Sequence, residues 1–282
     1  FVYVGGNFGY STFGTFYLGC GCCFVRYTNV VPLSTDVLAL HLDREPRFYA
    51  TIAAPGLYWQ LGPGSYNRLL VDSRRGQLFG VTQDRIISRV RQNLTGYYVK
   101  KGTRSDIRLP DYFNGISTFQ QGATVYMRLA ELYLIAAEAW NEYEGPNGTH
   151  RDKIFDRLNA VRERAGIPTV QESWGEYGIN PNKFNEQAGL RDIIRREKTI
   201  EFMFEGHRFW DVRRWGTAIA EGWNDKPMAW VVLGETWQEF FNNGQGPVVV
   251  WDDAYFNPAR DYLFPIKSEE AMVSGIVQNP GW

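Results

Sequence analysis

Residues 196–216 read REKTIEFMFEGHRFWDVRRWG, and this stretch carries the most specific pattern of the chain. Acidic and basic side chains are interleaved in it with five large aromatic residues. Apolar residues before and within the stretch, from Leu190 to Ile200, recur at the spacing of one helical face. We therefore predict a long helix over about 190–204, followed by a short helix over about 206–221.

The carboxylates of this stretch admit two interpretations. Glu197 and Glu201 are four residues apart, so a helix places them on one face, where paired carboxylates can provide a general acid. The neighbouring arginines argue against catalysis, because a guanidinium group lowers the pKa of a carboxylate that it contacts. We predict no catalytic residue and interpret His207 as structural. The expected structural charge network consists of Glu197, Glu201, Arg208, Asp211 and Arg214.

Two more helices are predicted upstream. The first has an apolar stripe at helical spacing formed by Val125, Leu129, Leu132, Tyr133, Ala136, Ala139 and Trp140. The second follows the break at 144–148, with Thr149 as its N-cap and Gly166 just beyond its end. Its stripe is Ile154, Leu158, Val161 and Ala165. Such a pair is an antiparallel hairpin of tetratricopeptide size. Arg128 and Glu131, on the first helix, are expected to be packing partners.

The remaining segments predict short elements and loops. Alternating aromatic and small residues in 1–31 favour short strands and turns. We predict a short helix over 32–42, and strands over 47–52 and 96–100 within otherwise irregular segments. Residues 167–187 are predicted to form a polar loop, and residues 222–260 to be irregular. Residues 261–266 are predicted to be a strand or an extended run, and residues 268–274 to form one helical turn.

The composition excludes several functions. Lys and Arg number 30 and Asp and Glu 31, so the formal net charge of −1 provides no basic excess that would attract nucleic acid. The longest uncharged stretch, residues 1–25, contains six Gly and does not resemble a membrane-spanning helix. Cys20, Cys22 and Cys23 are odd in number and have no His at ligand spacing. We predict no disulfide framework, no metal site and no cofactor.

Aromatic residues make up 16% of the 282 residues, and they are the best candidates for ligand contacts. Flat, rigid Trp and Tyr rings stack on the C–H faces of sugar rings, and loops commonly carry such rings. Residues such as Phe209, Trp210 and Trp215 lie in helical patterns and are expected in the core. The candidate ligand-binding residues lie in segments predicted to be loops or short strands. They are Tyr58, Trp59, Trp174, Tyr177 and Trp223.

Six motifs, in order along the chain, resemble those of the SusD/RagB family of outer-membrane nutrient-binding lipoproteins of Bacteroidota. In the first motif, Glu45 stands where the family usually has Asp. The motifs occupy residues 44–51, 95–101, 128–139, 158–166, 196–216, and 265–266 with 278–282.

The resemblance implies a mainly α, SusD-like fold, in which tetratricopeptide-type helix pairs carry long irregular loops and a few short strands. It covers nearly the whole chain as a single domain, 1–282, although residues 1–28 match poorly. The family places some two hundred residues and a lipidated Cys before the segment at Arg47. We therefore expect this chain to be the C-terminal portion of a longer protein, with the lipid anchor outside it.

The family is not enzymatic, so the resemblance implies a binding protein at the cell surface, lipid-anchored to the outer membrane. Its expected role is to capture an oligosaccharide and to lid a SusC-like TonB-dependent transporter during nutrient uptake. One alternative is a peptide-binding protein, as in the RagB branch, or a structural subunit of a larger outer-membrane export or assembly complex. The other alternative is a surface glycoside hydrolase, although no pattern in the sequence identifies the two carboxylates that such an enzyme needs.

Overall fold

The computed structural model describes residues 37–60, 68–82, 92–103, 125–251 and 255–282, and the backbone of Phe13–Gly14. Helices account for most of the regular structure in these residues, which confirms the prediction of a mainly α protein. In chain order the helices are α1 Pro46–Thr51, α2 Leu129–Glu144, α3 Arg151–Arg164, α4 Val170–Tyr177, α5 Gln187–Glu201, α6 His207–Trp215, α7 Trp237–Phe240 and α8 Ser268–Ser274. Short 3-10 turns lie at Ala39–His41, Lys183–Asn185 and Asn242–Gly244.

The strands are only two or three residues long and pair in antiparallel twos. β1 (Phe13–Gly14) pairs with β2 (Val37–Leu38), and β3 (Ile52–Ala53) pairs with β6 (Tyr98–Val99), as predicted for 96–100. β4 (Tyr58–Gln60) pairs with β5 (Arg68–Leu70), and β7 (Met228–Ala229) pairs with β8 (Val248–Val249). Such short pairs pin loops and do not form a sheet of their own.

The predicted helical hairpin is present: α2 packs against α3 and also against α5. Its core includes Leu134, Leu158 and Ile194, all fully buried. The face of α2 differs from the predicted stripe, because Leu129 and Leu132 are exposed whereas Glu138 and Asn141 are buried. These polar side chains are accommodated because Glu138 is ion-paired and the amide of Asn141 donates to the carbonyl of Gln187 at 3.1 Å.

The ends of the hairpin helices also differ from the prediction. Helix α2 begins at Leu129 rather than near Val125, and it ends at Glu144, just before Gly145, whose φ of +73° suits glycine. Helix α3 has His150, not Thr149, as its N-cap. The carboxylate of Glu144 accepts the backbone N–H of His150 at 2.5 Å, so a side chain from the preceding helix satisfies this N–H group. Gly166 lies just beyond α3 with φ of +71°, as expected.

Two segments form helices where the sequence predicted a strand and a loop. Residues 46–51 are helical because Pro46 occupies the first turn, and the hydroxyl of Thr51 donates to the carbonyl of Arg47. Residues 170–177 are helical because Thr169 and Glu172 form a reciprocal capping box. Trp174 and Tyr177 therefore lie on a helix and not in a polar loop.

Other predictions were wrong in detail. Within the segment 32–42, residues 37–41 form β2 and a 3-10 turn instead of an α-helix, because buried His41 is held there by hydrogen bonds to distant residues. The helix predicted over 206–221 ends at Trp215, since Gly216 adopts φ of +67°. Trp210, expected in the core, is 62% exposed. Of the two structures predicted for residues 261–266, a strand or an extended run, the strand is absent. The helical turn predicted over 268–274 is confirmed as α8.

Two structural features bear on the site. In the part of the chain that the structure describes, none of the helices combines the length and apolar character that crossing a bilayer requires. Over the same residues, no group of three or more His, Cys, Asp or Glu side chains is arranged to hold a metal ion. Cys20, Cys22 and Cys23 lie outside the described residues.

Candidate functional site

The carboxylates of α5 are engaged by arginines from distant segments. Glu197 is buried; one of its oxygens accepts from Arg162 at 2.7 Å, and the other lies 2.6 Å from a guanidinium nitrogen of Arg47. Burial alone would lower the pKa of Arg47, but the charges of Glu197 and Glu45 outweigh it and raise that pKa. This cluster ties α1 to the helical hairpin.

Glu201, one helical turn later, is shared by three guanidinium groups. Its carboxylate accepts from Arg128 at 2.5 Å and from Arg47 at 3.2 Å, and it also pairs with Arg164. The side chain of Glu201 is 3% exposed. Its oxygens are therefore directed at protein donors and not at a substrate, which supports the structural interpretation of the Glu197 and Glu201 pair over the catalytic one.

The rest of the predicted network lies around α6. Asp211 contacts buried Lys198 at 2.8 Å and Arg214 at 3.0 Å, and Lys198 lies 3.3 Å from Glu138 of α2. Burial would raise the pKa of Glu138, but hydrogen bonds from Arg214 and Trp215 and the charge of Lys198 lower it to about 2. The sequence did not nominate Glu138, which lies 76 residues from Arg214.

Arg208 and His207 complete this region. Arg208 donates to the hydroxyl of Thr199 at 2.9 Å and pairs with Glu221. The His207 ring stacks on Phe202 with centroids 4.4 Å apart, and its Nδ1 is 3.8 Å from Glu131. These contacts fix α6 against α5 and α2. The candidates for ligand contact are therefore the aromatic residues outside this charge network.

Two of the five candidate ligand residues share a cavity. Trp174 and Tyr177, on α4, line a cavity of about 580 Å³ that we call the aromatic cavity. Its other walls are the turn at 43–45, Arg162 of α3, residues 167–168, and α5 between Ile193 and Ile200. Trp174 packs partly against the helical core, and the ammonium group of Lys183 lies 5.4 Å from the centre of its ring. Tyr177 is 58% exposed.

Polar groups surround these two rings. Ser173 accepts a hydrogen bond from Arg162 at 2.7 Å at the cavity wall. Arg196 lines the same cavity; burial lowers its pKa, opposed by the charges of Glu45 and Glu197. Aromatic rings beside fixed hydrogen-bonding groups are the usual composition of a small-molecule binding site. The sequence nominated neither Ser173 nor Arg196, because only the folded chain brings α4 and α5 to the same cavity.

The other three candidates lie elsewhere. Tyr58 and Trp59 are on β4, where the guanidinium of Arg68 lies 4.3 Å from the Tyr58 ring centre and Trp59 stacks on Phe79 at 6.1 Å. Trp223 packs against Phe256, with centroids 5.5 Å apart. The first of these contacts lies within the β4–β5 pair, and the other two join separate segments of the chain. The structure does not bring the three residues to the aromatic cavity.

Comparisons with known proteins agree with this architecture. SusD-like protein P25 of Formosa agariphila is 38% identical over 95 residues, which are 34% of this chain and 16% of that protein. The solved structure of BT4246 superposes with a TM-score of 0.66 at 25% identity, over 92% of this chain and 40% of that one. A SusD-like carbohydrate binding protein of Bacteroides fragilis, BF0978, superposes with a TM-score of 0.50 at 25% identity, over 83% and 41%.

The chain thus spans about two fifths of the length of these solved structures. The model of the SusD family matches residues 33–282, which include all six motifs of the sequence pattern. The resemblance inferred from those motifs is confirmed. The chain belongs to the SusD family.

Proposed function

We propose that the protein is a carbohydrate-binding member of the SusD family that captures an oligosaccharide in the aromatic cavity. The observation that carries this proposal is that Trp174 and Tyr177 share one cavity with Ser173 and Arg196. The rings provide stacking surfaces for sugar C–H faces, and the polar groups provide hydrogen bonds to hydroxyls. A SusD-like relative described as carbohydrate binding supports the ligand class.

The proposed mechanism is binding without chemical conversion. The buried carboxylates of α5, Glu197 and Glu201, are held by arginines, as a structural role requires. A general acid and its partner carboxylate would instead have to face each other across an open cleft.

The wider role follows from membership of the family. We propose that the chain is the C-terminal portion of a lipid-anchored protein at the surface of the outer membrane, and that residues 1–282 form one domain of it. The protein would present its oligosaccharide to a SusC-like TonB-dependent transporter and lid that transporter. The match to about two fifths of each solved relative supports the part of this proposal that makes the chain a portion of a longer protein.

Isothermal titration calorimetry with neutral oligosaccharides and with short peptides tests the ligand class. Tyr177→Ala removes an exposed ring and leaves the core untouched, and Trp174→Phe reduces the stacking area while it retains packing. Tyr143→Ala is the matched control, because Tyr143 is 78% exposed and does not line the aromatic cavity.

We expect neutral oligosaccharides to bind, with affinity about fivefold weaker for Tyr177→Ala and unchanged for Tyr143→Ala. Binding of peptides alone would replace the proposal by the peptide-binding alternative. If neither oligosaccharides nor peptides bind and the protein co-purifies stably in a larger membrane complex, the result would indicate a structural subunit.

A further inference from the structure

A second and larger cavity lies on the other side of the Arg47 and Glu197 ion pair. Its volume is about 810 Å³, and its walls come from α1, residues 100–103, residues 125–128 and the turn that follows α5. It shares only Ile200 with the residues that line the aromatic cavity. We call it the basic cavity, because five cationic side chains and three carboxylates line it. The cations are Arg47, Lys100, Lys101, Arg128 and Arg164, and the carboxylates are Glu131, Glu201 and Glu205.

The cations of the basic cavity are not all matched by carboxylates. Arg47 pairs with Glu45 and Glu197 as well as Glu201, and Arg128 pairs with Glu205 as well as Glu201. For Arg164, in contrast, Glu201 is the one carboxylate within ion-pair distance among the described residues. The side chain of Arg164 is 59% exposed. Several of its five N–H donors are therefore open to the cavity and to solvent.

Lys100 adds a second cation at the wall. Its ammonium group donates to the carbonyl of Tyr49 at 3.0 Å, and no carboxylate lies within ion-pair distance of it among the described residues. An ammonium group has three N–H donors, and the hydrogen bond to the Tyr49 carbonyl uses one of them. This neutral acceptor does not balance the positive charge of Lys100. Burial lowers the pKa of Lys100, which means that an anion beside it would stabilise its charged form.

Exposed aromatic rings border the same cavity. Tyr126 is 94% exposed, and Phe204 is 52% exposed. Phe204 has φ of +66°, a left-handed conformation that costs a bulky residue conformational energy. Backbone strain of this kind is concentrated at functional sites such as ligand-binding positions. The backbone here presents a ring to the cavity instead of burying it with Phe202.

We propose that the basic cavity is a second binding site, for an anionic saccharide. The carboxylate or sulfate group of the ligand lies between Lys100 and Arg164, and a sugar ring stacks on Tyr126 or Phe204. Guanidinium and ammonium groups match carboxylate and sulfate oxygens, and the flat rings match a sugar face. This site is additional to the neutral oligosaccharide site proposed for the aromatic cavity.

Calorimetry on the intact chain tests the proposal with four probes of similar size. These are a tri-galacturonate, a sulfated trisaccharide, a neutral trisaccharide and a tri-glutamate peptide, each at low and at high salt. Arg164→Met and Tyr126→Ala each remove an exposed side chain. In Arg164→Met the buried carboxylate of Glu201 still forms ion pairs with Arg47 and Arg128, so it is not left unpaired. Lys267→Met is the control, since Lys267 is an exposed cation outside the cavity.

We expect one or both anionic saccharides to bind in a salt-sensitive manner. The affinity should fall about tenfold in Arg164→Met, about fivefold in Tyr126→Ala and not at all in Lys267→Met. Tighter binding of the glutamate peptide, equal affinity for the neutral sugar, or no effect of Arg164→Met would overturn the proposal. Tyr177→Ala should not change anionic binding, so failure at this site is distinguishable from failure at the aromatic cavity.

Discussion

Arg214 donates two parallel hydrogen bonds to Glu138, at 2.8 and 2.9 Å, and so joins α6 to the middle of α2. Trp215 donates a third bond to the same carboxylate at 2.7 Å, and buried Lys198 lies 3.3 Å away. One carboxylate thus holds the C-terminal end of α6 and neutralises a lysine of α5.

Replacement of Glu138 by Ala should lower the free energy of unfolding by about 3–5 kcal/mol, because Lys198 would stay buried with one carboxylate partner lost. Urea denaturation followed by tryptophan fluorescence measures the change. Glu142→Ala is the control on the same helix: it breaks a more exposed pair with Arg191 and should cost less than about 1 kcal/mol. Equal losses for the two variants would refute the role assigned to Glu138.

His41 predicts a dependence of stability on pH. Burial lowers its pKa from 6.5 to about 3, opposed by a hydrogen bond to the carbonyl of Pro55. Between these two values the unfolded chain binds a proton that the folded chain does not, so stability falls as pH falls below about 6.5.

The expected slope approaches about 1.4 kcal/mol per pH unit once the pH is well below 6.5. Urea unfolding between pH 6.5 and 5 measures it in a window above the ordinary pKa values of carboxylates. His41→Asn should be less stable at pH 7 and should show a flatter profile. A slope that is the same in the variant would assign the effect to other groups.

Gly96 and Gly102 provide a matched pair for backbone strain. Both have φ near +80°, so alanine at either position should cost about 1–2 kcal/mol. A Cβ at Gly96 would also lie 2.6 Å from the ring of buried Phe240, whereas no described atom lies within 4 Å of a Cβ at Gly102. Thermal unfolding should therefore show a loss for Gly96→Ala that is larger by about 1–3 kcal/mol. Similar melting temperatures would contradict the predicted overlap.

Alanine variants at Trp223 and Tyr177 should have opposite effects, one on stability and the other on ligand affinity. Trp223 packs between Phe209 and Phe256 and lies under the guanidinium of Arg213, so Trp223→Ala should lower the free energy of unfolding by about 2 kcal/mol. The same variant should leave oligosaccharide affinity unchanged. Tyr177→Ala should behave in the opposite way. Reduced affinity in folded Trp223→Ala protein would restore Trp223 as a ligand residue.

Local signals explain which helices could be predicted. The positions of α2, α3 and α5 follow from apolar spacing, and the ends of α2 and α3 also follow from the glycine just beyond each of them. Both signals act within a few residues. The strand predicted at 47–52 was wrong, because the apolar residues there suit either structure and Pro46 favours the first turn of a helix. The capping box of Thr169 and Glu172 is a local signal for α4 that the prediction of a loop over 167–187 overlooked.

Contacts distant in sequence could not be predicted in the same way. The charged residues of 196–216 indicated a network, but not that Glu138 and Arg47 would enter it from 76 and 154 residues away. The sequence identified five aromatic residues as candidates for ligand contact. Only the packing of the folded chain shows that Trp174 and Tyr177 share a cavity, whereas Tyr58, Trp59 and Trp223 lie elsewhere. No local sequence pattern marks Tyr126, Phe204 and Lys100 as site residues, since their exposure and their shared cavity are properties of the folded chain.

The sequence by itself determined the family, the helical architecture and the presence of an ion-pair network in this protein. These depend on residue order and on periodicities that a helix converts directly into faces. The tertiary structure alone decided which carboxylate meets which arginine, which aromatic rings are buried and which line cavities. Those outcomes depend on how α4, α5 and α6 pack, because burial and charge pairing arise from side chains brought together across long separations in the chain.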